Sequence, residues 1–360
     1  MTATTHPEFG HDTEALDVAR AFADRVRGKT ILVTGANPKG IGFATLQAFA
    51  SQSPAHLILA SRTLSKIQES IGLLKAQFPN VDCRPLVLDL STQRTVRAAA
   101  AELLSWADVP TVDIVVNNAA VMNLPERTIN EDGLEVQFAT NHVGHFLFTC
   151  LIMPKLIRAA ERSPRGATRI VNVTSLSPTA SRDIRWSDIT FARRNRDLPE
   201  KEQPNYAVHR MWGEEDPEEK SYLPLEGYNQ SKVANVLFSV ALNARLYDKY
   251  GILSFACHPG IIETELSRDA SPSTVAAINR MKAQALYRYK TLGAGAATSL
   301  VAALDPKLGL PETRDGKENL GVYFIDCQIS DRATAWATSS DGAERLWKLS
   351  EELVKQKFQW

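Results

Sequence analysis

Tyr228 and Lys232, in the run GYNQSK, stand four residues apart and so share one face of a helix. A phenol with a pKa of about 10 is a poor base near neutrality, but an ammonium one turn away favours its ionised form, so the pair suits acid/base work on a hydroxyl or carbonyl oxygen. Ser175 closes the strand-like run RIVNVTS, the place at which ligands collect in a doubly wound sheet. Its hydroxyl is placed to donate to an oxygen that gains charge, with Thr174 and Ser177 as rival donors. Asn141, in FATNHVGHF, is read either as the holder of a water between Lys232 and solvent or as an amide satisfied by backbone. His142 and His145 lack a third ligand or an HExxH pattern, so no metal site is expected.

A second constellation is the turn VTGANPKGIG, Val33 to Gly42, between an apolar strand and a helix. Gly35 permits the tight turn, Gly40 lets backbone approach a pyrophosphate and Gly42 allows close packing of helix on strand, while free amides at the helix start attract phosphate. Lys39 and Ile41 belong to the same cofactor-binding turn. At the end of the second strand, where the adenosine ribose would lie, LASR supplies Arg62 instead of an acid, with Lys39 and Lys66 near it. A cation there suits a 2′-phosphate, so the expected cofactor is NADP(H).

The elements that must position these residues alternate. KTILVTGA, HLILASR, CRPLVLDL and VDIVVNNAA are short β-branched runs separated by helical stretches, followed by RIVNVTS, a helix from about Tyr228 to Tyr250, and ILSFACHPG. The pattern predicts a three-layer α/β/α, Rossmann-type, doubly wound parallel sheet. Residues 1–27 form an extension with an amphipathic helix over 15–27, and residues 28–360 one domain ending in a helix at about 343–359. Only residues 183–225, polar and without periodicity, break the rhythm. This insertion reads as a substrate lid or as a solvated decoration, and its cluster Glu214, Glu215, Asp216, Glu218 and Glu219 as a solvated face.

At 360 residues with a formal charge of 0, the chain gives no electrostatic case for nucleic acid or an anionic membrane, and a small-molecule partner is expected. Four scattered cysteines read as buried thiols in a reducing compartment. No basic, apolar leader is visible, and no segment is read as reaching the roughly 18 apolar residues of a membrane span, so the expected location is cytoplasmic.

Taken in order, TGANPKGIG, Asp89-Leu90, NNAA, NHVGHF, VNVTS, YNQSK and HPGIIET resemble the short-chain dehydrogenase/reductase family over roughly residues 28–270. GVYFIDC and ERLWKLSEELV resemble its retinol-dehydrogenase and WW-domain-oxidoreductase-like branch, with its fungal biosynthetic relatives. The resemblance implies a tetrad of Asn141, Ser175, Tyr228 and Lys232, in which Lys232 also holds the nicotinamide ribose. It implies that Asp89 and Leu90 flank the adenine, that Asn118 and Ala119 lie along the cofactor, and that Pro259, Gly260, Ile262 and Thr264 close over the nicotinamide. Homo-oligomers are common in the family, although the C-terminal helix here stands to cover the usual face. The glycine turn is one residue longer than TGxxxGxG, and residues 176–227 exceed the family's usual link between serine and tyrosine.

The expected activity is NADP(H)-dependent interconversion of a ketone or aldehyde and an alcohol. A bulky apolar substrate, such as a polyketide or terpenoid intermediate, is expected beside Met211–Trp212 and the segment after Thr264. Alternatives are an alcohol dehydrogenase or epimerase of a pathway intermediate, and a non-catalytic NADP-binding regulator.

Overall fold

Short apolar runs become the strands of the main sheet in the computed structural model, which describes residues 3–360. They are β1 (Thr30–Thr34), β2 (His56–Ser61), β3 (Cys83–Val87), β4 (Ile114–Asn117), β5 (Arg169–Val173) and β6 (Leu253–His258). Their spatial order is 3-2-1-4-5-6, all parallel, with Val33 of β1 opposite Leu59 on one side and Val116 on the other. A hairpin of β7 (Glu312–Arg314) and β8 (Lys317–Leu320) stands apart from this sheet. Two short strands then complete it: β9 (Tyr323–Ile325) beside β6, and an antiparallel β10 (Gln328–Ile329) at the edge. The order reverses between β1 and β4, which opens a crevice at the carboxyl ends of the strands.

The longer helices are α1 (Ala15–Ala21), α2 (Ile41–Ala50), α3 (Leu64–Gln77), α4 (Gln93–Ser105), α5 (Gly144–Ala160), α6 (Pro224–Tyr250), α7 (Pro272–Ala283), α8 (Leu292–Leu304) and α9 (Ser340–Leu353). One hydrophobic core lies between the sheet and α4, α5, α6 and α9, and a second lies under α1, α2, α3 and α8. The three-layer Rossmann-type architecture is therefore as the sequence pattern predicts.

Local corrections have local causes. The expected helix over 15–27 breaks at Phe22, whose φ of −114° and ψ of 32° are not helical, and a single turn resumes at Ala23–Val26. The C-terminal helix starts at Ser340, with the Ser339 hydroxyl accepting from the Gly342 amide, and ends at Leu353 rather than near 359. The tail then folds back, so that Phe358 packs on Phe146 and Trp360 on Trp347. Arg245 of α6 lies over the Trp347 ring at 4.1 Å, which fastens α9 along α6.

The insertion is neither featureless nor merely solvated. It holds 3-10 turns at Asn195–Asp197 and Glu200–Glu202 and a short helix at Tyr206–Met211. Its centre is Arg185, fully buried, which donates to Asp188 at 2.6 Å and to the Ser221 carbonyl at 3.0 Å, over the ring of Phe191. The acidic cluster does face outward, where Glu214 pairs with Lys220, Glu218 with Arg210 and Glu219 with Arg196.

One further expectation is corrected. Val136–Ala160 is long and apolar enough to cross a membrane, with a mean hydropathy of 1.3, but 78% of its apolar window is buried inside the protein, as suits a core helix. Composition alone does not separate these two uses of an apolar helix.

Candidate active site

Helix α6 starts at Pro224, where the missing amide hydrogen costs nothing, and is buried along most of its first five turns. Tyr228 and Lys232 stand one turn apart on it, 7% and 1% exposed. The Lys232 Nζ donates to the carbonyl of Val173, the last residue of β5, at 3.0 Å and lies 5.5 Å from the Tyr228 ring centre. The end of β5 is tied to the helix a second time by Thr174, whose hydroxyl donates to the Lys232 carbonyl at 2.7 Å.

Burial sets the protonation states. Loss of water pushes the Tyr228 phenol up to about 12, against the opposing pull of a hydrogen bond with Ser175. The same loss brings the Lys232 ammonium down to about 7. Both groups are thus driven towards their neutral forms, where the sequence alone suggested a lysine-stabilised phenolate.

Ser175 follows β5, and its backbone carbonyl is held by the Tyr323 hydroxyl at 2.7 Å. Its own hydroxyl donates to Ser177 Oγ at 2.7 Å and accepts from the Ser177 amide at 3.0 Å. Of the rival donors, Thr174 is engaged by Lys232, and Ser177 donates to Asn229 Oδ1 at 2.7 Å.

Asn141 lies in a π-helical turn, Ala139–Val143, and is completely buried. Its Oδ1 accepts from the Val121 amide, and its Nδ2 donates to the Val121 carbonyl and to Ser231 Oγ, each at 2.9 Å. The side chain is therefore fully used in joining the β4 loop to α6, which is the backbone-satisfied reading and leaves no free amide atom for a water. His145 extends this network. Thr34 Oγ1 accepts from the amides of Asn118 and Ala119, so its own hydrogen goes to His145 Nε2, and the opposite Nδ1 donates to the Asn141 carbonyl. Burial brings His145 down to about 4, so it stays neutral. His142 turns away to Ser350 on α9. Among the described residues no three potential ligands gather as a metal site.

A cleft of about 540 Å³ runs along the carboxyl ends of the strands. Gly35, Lys39, Gly40 and Ile41 form one end of its wall, and Arg62 and Lys66 flank it. Asp89, Leu90, Asn118 and Ala119 follow, and Tyr228, Lys232, Pro259 and Thr264 line the other end. Arg62, Lys39 and Lys66 are exposed, and Arg62 forms no ion pair among the described residues. Lys66 instead meets Glu265, just past Thr264, at 3.8 Å across the cleft.

The close fit of the turn is measurable. A Cβ on Gly35, at φ +76°, would come 2.8 Å from Asn118 Nδ2, and one on Gly42 would overlap the Gly35 carbonyl oxygen. Bare backbone at one end of the cleft, beside the start of α2, suits the pyrophosphate of a dinucleotide.

Ser175 and Asn141 are not among the residues that line this cleft, and neither are three residues expected to touch cofactor. Gly42 packs under Gly35, Gly260 turns at φ +97° against Lys290, and Ile262 faces Gly295 of α8. Met211 and Trp212 do not line the cleft. Met211 is exposed, and its carbonyl accepts from Arg280 of α7. Sequence reasoning missed Thr34, Ser61, Leu88 and Val173, which line the cleft at or just beyond strand ends. Their common position at carboxyl ends is a signal that could have found them. Leu124, Val136 and Leu266, also missed, carry no such mark.

Residues 29–183 match the family model described as short chain dehydrogenase. The chain is 36% identical over 70% of its length to oxidoreductase fscI of Fusarium equiseti, covering 94% of that protein. It is 31% identical to retinol dehydrogenase 12 of Mus musculus, over 93% of this chain and 89% of the relative. In fold it resembles a crystal structure of a protein from Mycobacterium paratuberculosis, with a TM-score of 0.59 and 24% identity over 93% of this chain and 96% of the other. With its parallel sheet, glycine turn and Tyr228–Lys232 helix, the chain belongs to the short-chain dehydrogenase/reductase family.

Proposed function

We propose that this oxidoreductase interconverts a ketone or aldehyde and an alcohol with NADP(H), on a bulky and largely apolar substrate of the polyketide or terpenoid kind. The observation that carries the reading is the buried Tyr228–Lys232 pair at the end of a cleft whose other end presents bare glycine backbone, Arg62 and Lys39. Bound NADPH would supply the hydride. Arg62, Lys39 and Lys66 hold the 2′-phosphate, and Asp89 and Leu90 border the adenine. Asn118 and Ala119 run along the cofactor, and the Pro259–Thr264 segment closes over the nicotinamide end.

In reduction, Ser175 turns its hydroxyl to the carbonyl oxygen as negative charge grows there, and Tyr228, protonated because it is buried, gives that oxygen its proton. Lys232, when charged, steadies the phenolate left behind. Asn141 supports the lysine by fixing the β4 loop and α6. Oxidation of an alcohol uses the same groups in reverse. Leu124, Val136 and Leu266 supply the apolar wall beside the reacting end. The four buried, unpaired thiols and the commitment of Val136–Ala160 to the core support a reducing, cytoplasmic setting.

The test is NADPH consumption by wild type and Tyr228→Phe over bulky ketones, aldehydes and quinones, with NADH as control. Removal of the proton donor is expected to lower kcat by about 10³-fold while NADPH binding persists. Equal turnover by both proteins would overturn the assignment of Tyr228, and binding without any turnover would favour a regulatory role.

A further inference from the structure

Lys290 is a buried cation that the acid/base pair does not use. Its side chain is 1% exposed, and its ammonium lies 2.6 Å from Asp326 Oδ1, an ion pair without hydrogen-bond alignment. Its stem runs along Gly260 so closely that a Cβ there would come 2.5 Å from Lys290 Cδ. Its amide donates to the Ile261 carbonyl at 2.9 Å. The segment whose ends, Pro259 and Thr264, line the cleft therefore rests on Lys290 by both backbone and side chain.

Asp326 belongs to the run GVYFIDC, which the chemistry above leaves without a role. It follows β9 in a two-residue turn to β10, where Asp326, at φ 48°, and Cys327, at φ 64°, both adopt the left-handed region. Aspartate tolerates that conformation and cysteine rarely does. The turn is held from outside, because the Cys327 amide donates to Thr298 Oγ1 on α8 at 3.1 Å. At the other end of the strand the Tyr323 hydroxyl donates to the Ser175 carbonyl at 2.7 Å. That bond is made to the main chain, so it sets where Ser175 stands and leaves the serine hydroxyl untouched.

We propose that β9 and its turn form a bracket for the reacting end of the cleft, in which Tyr323 is a positioning residue for Ser175 and Asp326, through Lys290, is one for the Pro259–Thr264 segment. The inference rests on the reading of the cleft as an NADP(H) site, with Ser175 beside the reacting oxygen and that segment over the nicotinamide. β9 is registered on β6, Tyr323 opposite Ala256 and Ile325 opposite His258, and β6 runs directly into Pro259. Both arms leave this one short strand, so the serine and the segment are set relative to each other. A buried ammonium is costly without a partner, and an apolar stem would fill the space beside Gly260 equally well. The charge has a further use: pairing with Asp326 fixes the direction in which the stem lies.

The two arms should fail separately. Lys290→Met keeps the stem and removes the charge, and Asp326→Asn keeps a residue that tolerates the left-handed turn. Each is expected to raise the Kd for NADPH about fivefold and to reduce the blue shift of the bound nicotinamide emission, with the double variant no worse than either single. The Kd for 2′-phospho-ADP-ribose, the same dinucleotide without its nicotinamide, should stay within about twofold of wild type. Tyr323→Phe is expected to do the reverse, lowering kcat for reduction of phenanthrenequinone about tenfold at an unchanged Kd for NADPH.

Wild-type Kd and emission in Lys290→Met and Asp326→Asn would overturn the proposal, as would wild-type kcat in Tyr323→Phe. Equal weakening of NADPH and 2′-phospho-ADP-ribose would also overturn it, since that marks a general loosening of the fold. Failure of the unmutated protein to bind NADPH would instead overturn the underlying reading. A crystal structure of Tyr323→Phe reads its arm without turnover. A displaced Ser175 supports the proposal, and an unmoved Ser175 sinks it.

Discussion

The glycine-turn half of the cleft and the insertion beside it are built on opposite plans. The first rests on strands buried on both faces and on backbone brought so close that Gly42 leaves no room for a Cβ. The second rests on point-to-point polar bonds around Arg185, with little regular structure. The difference teaches that one fold can join periodic packing to specific polar wiring. The two halves should therefore fail in different ways.

The largest expected effect is on the wired half. Arg185→Leu strands Asp188 as a buried carboxylate without its partner, and is expected to cost about 3 kcal/mol in unfolding free energy. Denaturant unfolding reads that loss, and kinetics should show a higher KM for the carbonyl at an unchanged Kd for NADPH. A weakened NADPH affinity in that variant would break the comparison, because it would couple the insertion to the cofactor half.

Arg62→Asp addresses the packed half. It removes the exposed cation expected at the 2′-phosphate and is expected to lower the NADPH-to-NADH preference by about tenfold to a hundredfold. Titration of both cofactors checks it. An unchanged ratio would remove the case for NADP specificity.

The smallest effect is one of pH. Burial brings Lys232 down to about 7, so it is charged on the acid side and loses its charge as pH rises, while Tyr228, pushed up to about 12, stays protonated throughout. Reductive kcat/KM should accordingly be highest on the acid side and fall to about half that level near pH 7. A profile flat from pH 6 to 9 would show that charge on Lys232 does not matter to reduction.

What was legible follows the same division. The strands, their parallel order and the glycine turn could be read because each is a repeating or local demand. β1 must suit burial along its whole length, with Ile31, Leu32 and Val33 at its centre, and a turn packed this closely must be bare. Tyr228 and Lys232 were legible as a helical pair only once the other motifs stood beside them. Lys290 and Asp326 were not legible, since residues far apart in sequence that meet through one ion pair leave no periodic trace. The same holds for Asn141, where sequence offered two readings and the meeting with Val121 and Ser231 chose between them.

By itself, then, the sequence determined the architecture, the glycine turn and the placing of Tyr228 and Lys232 on one helix face, because hydrophobic periodicity and backbone sterics act over a few residues. Only the tertiary structure decided which expected cofactor residues face the cleft, that burial drives Tyr228 and Lys232 towards neutrality, and that an apolar 25-residue helix is core. Each of these depends on what a residue packs against, and those neighbours come from distant parts of the chain.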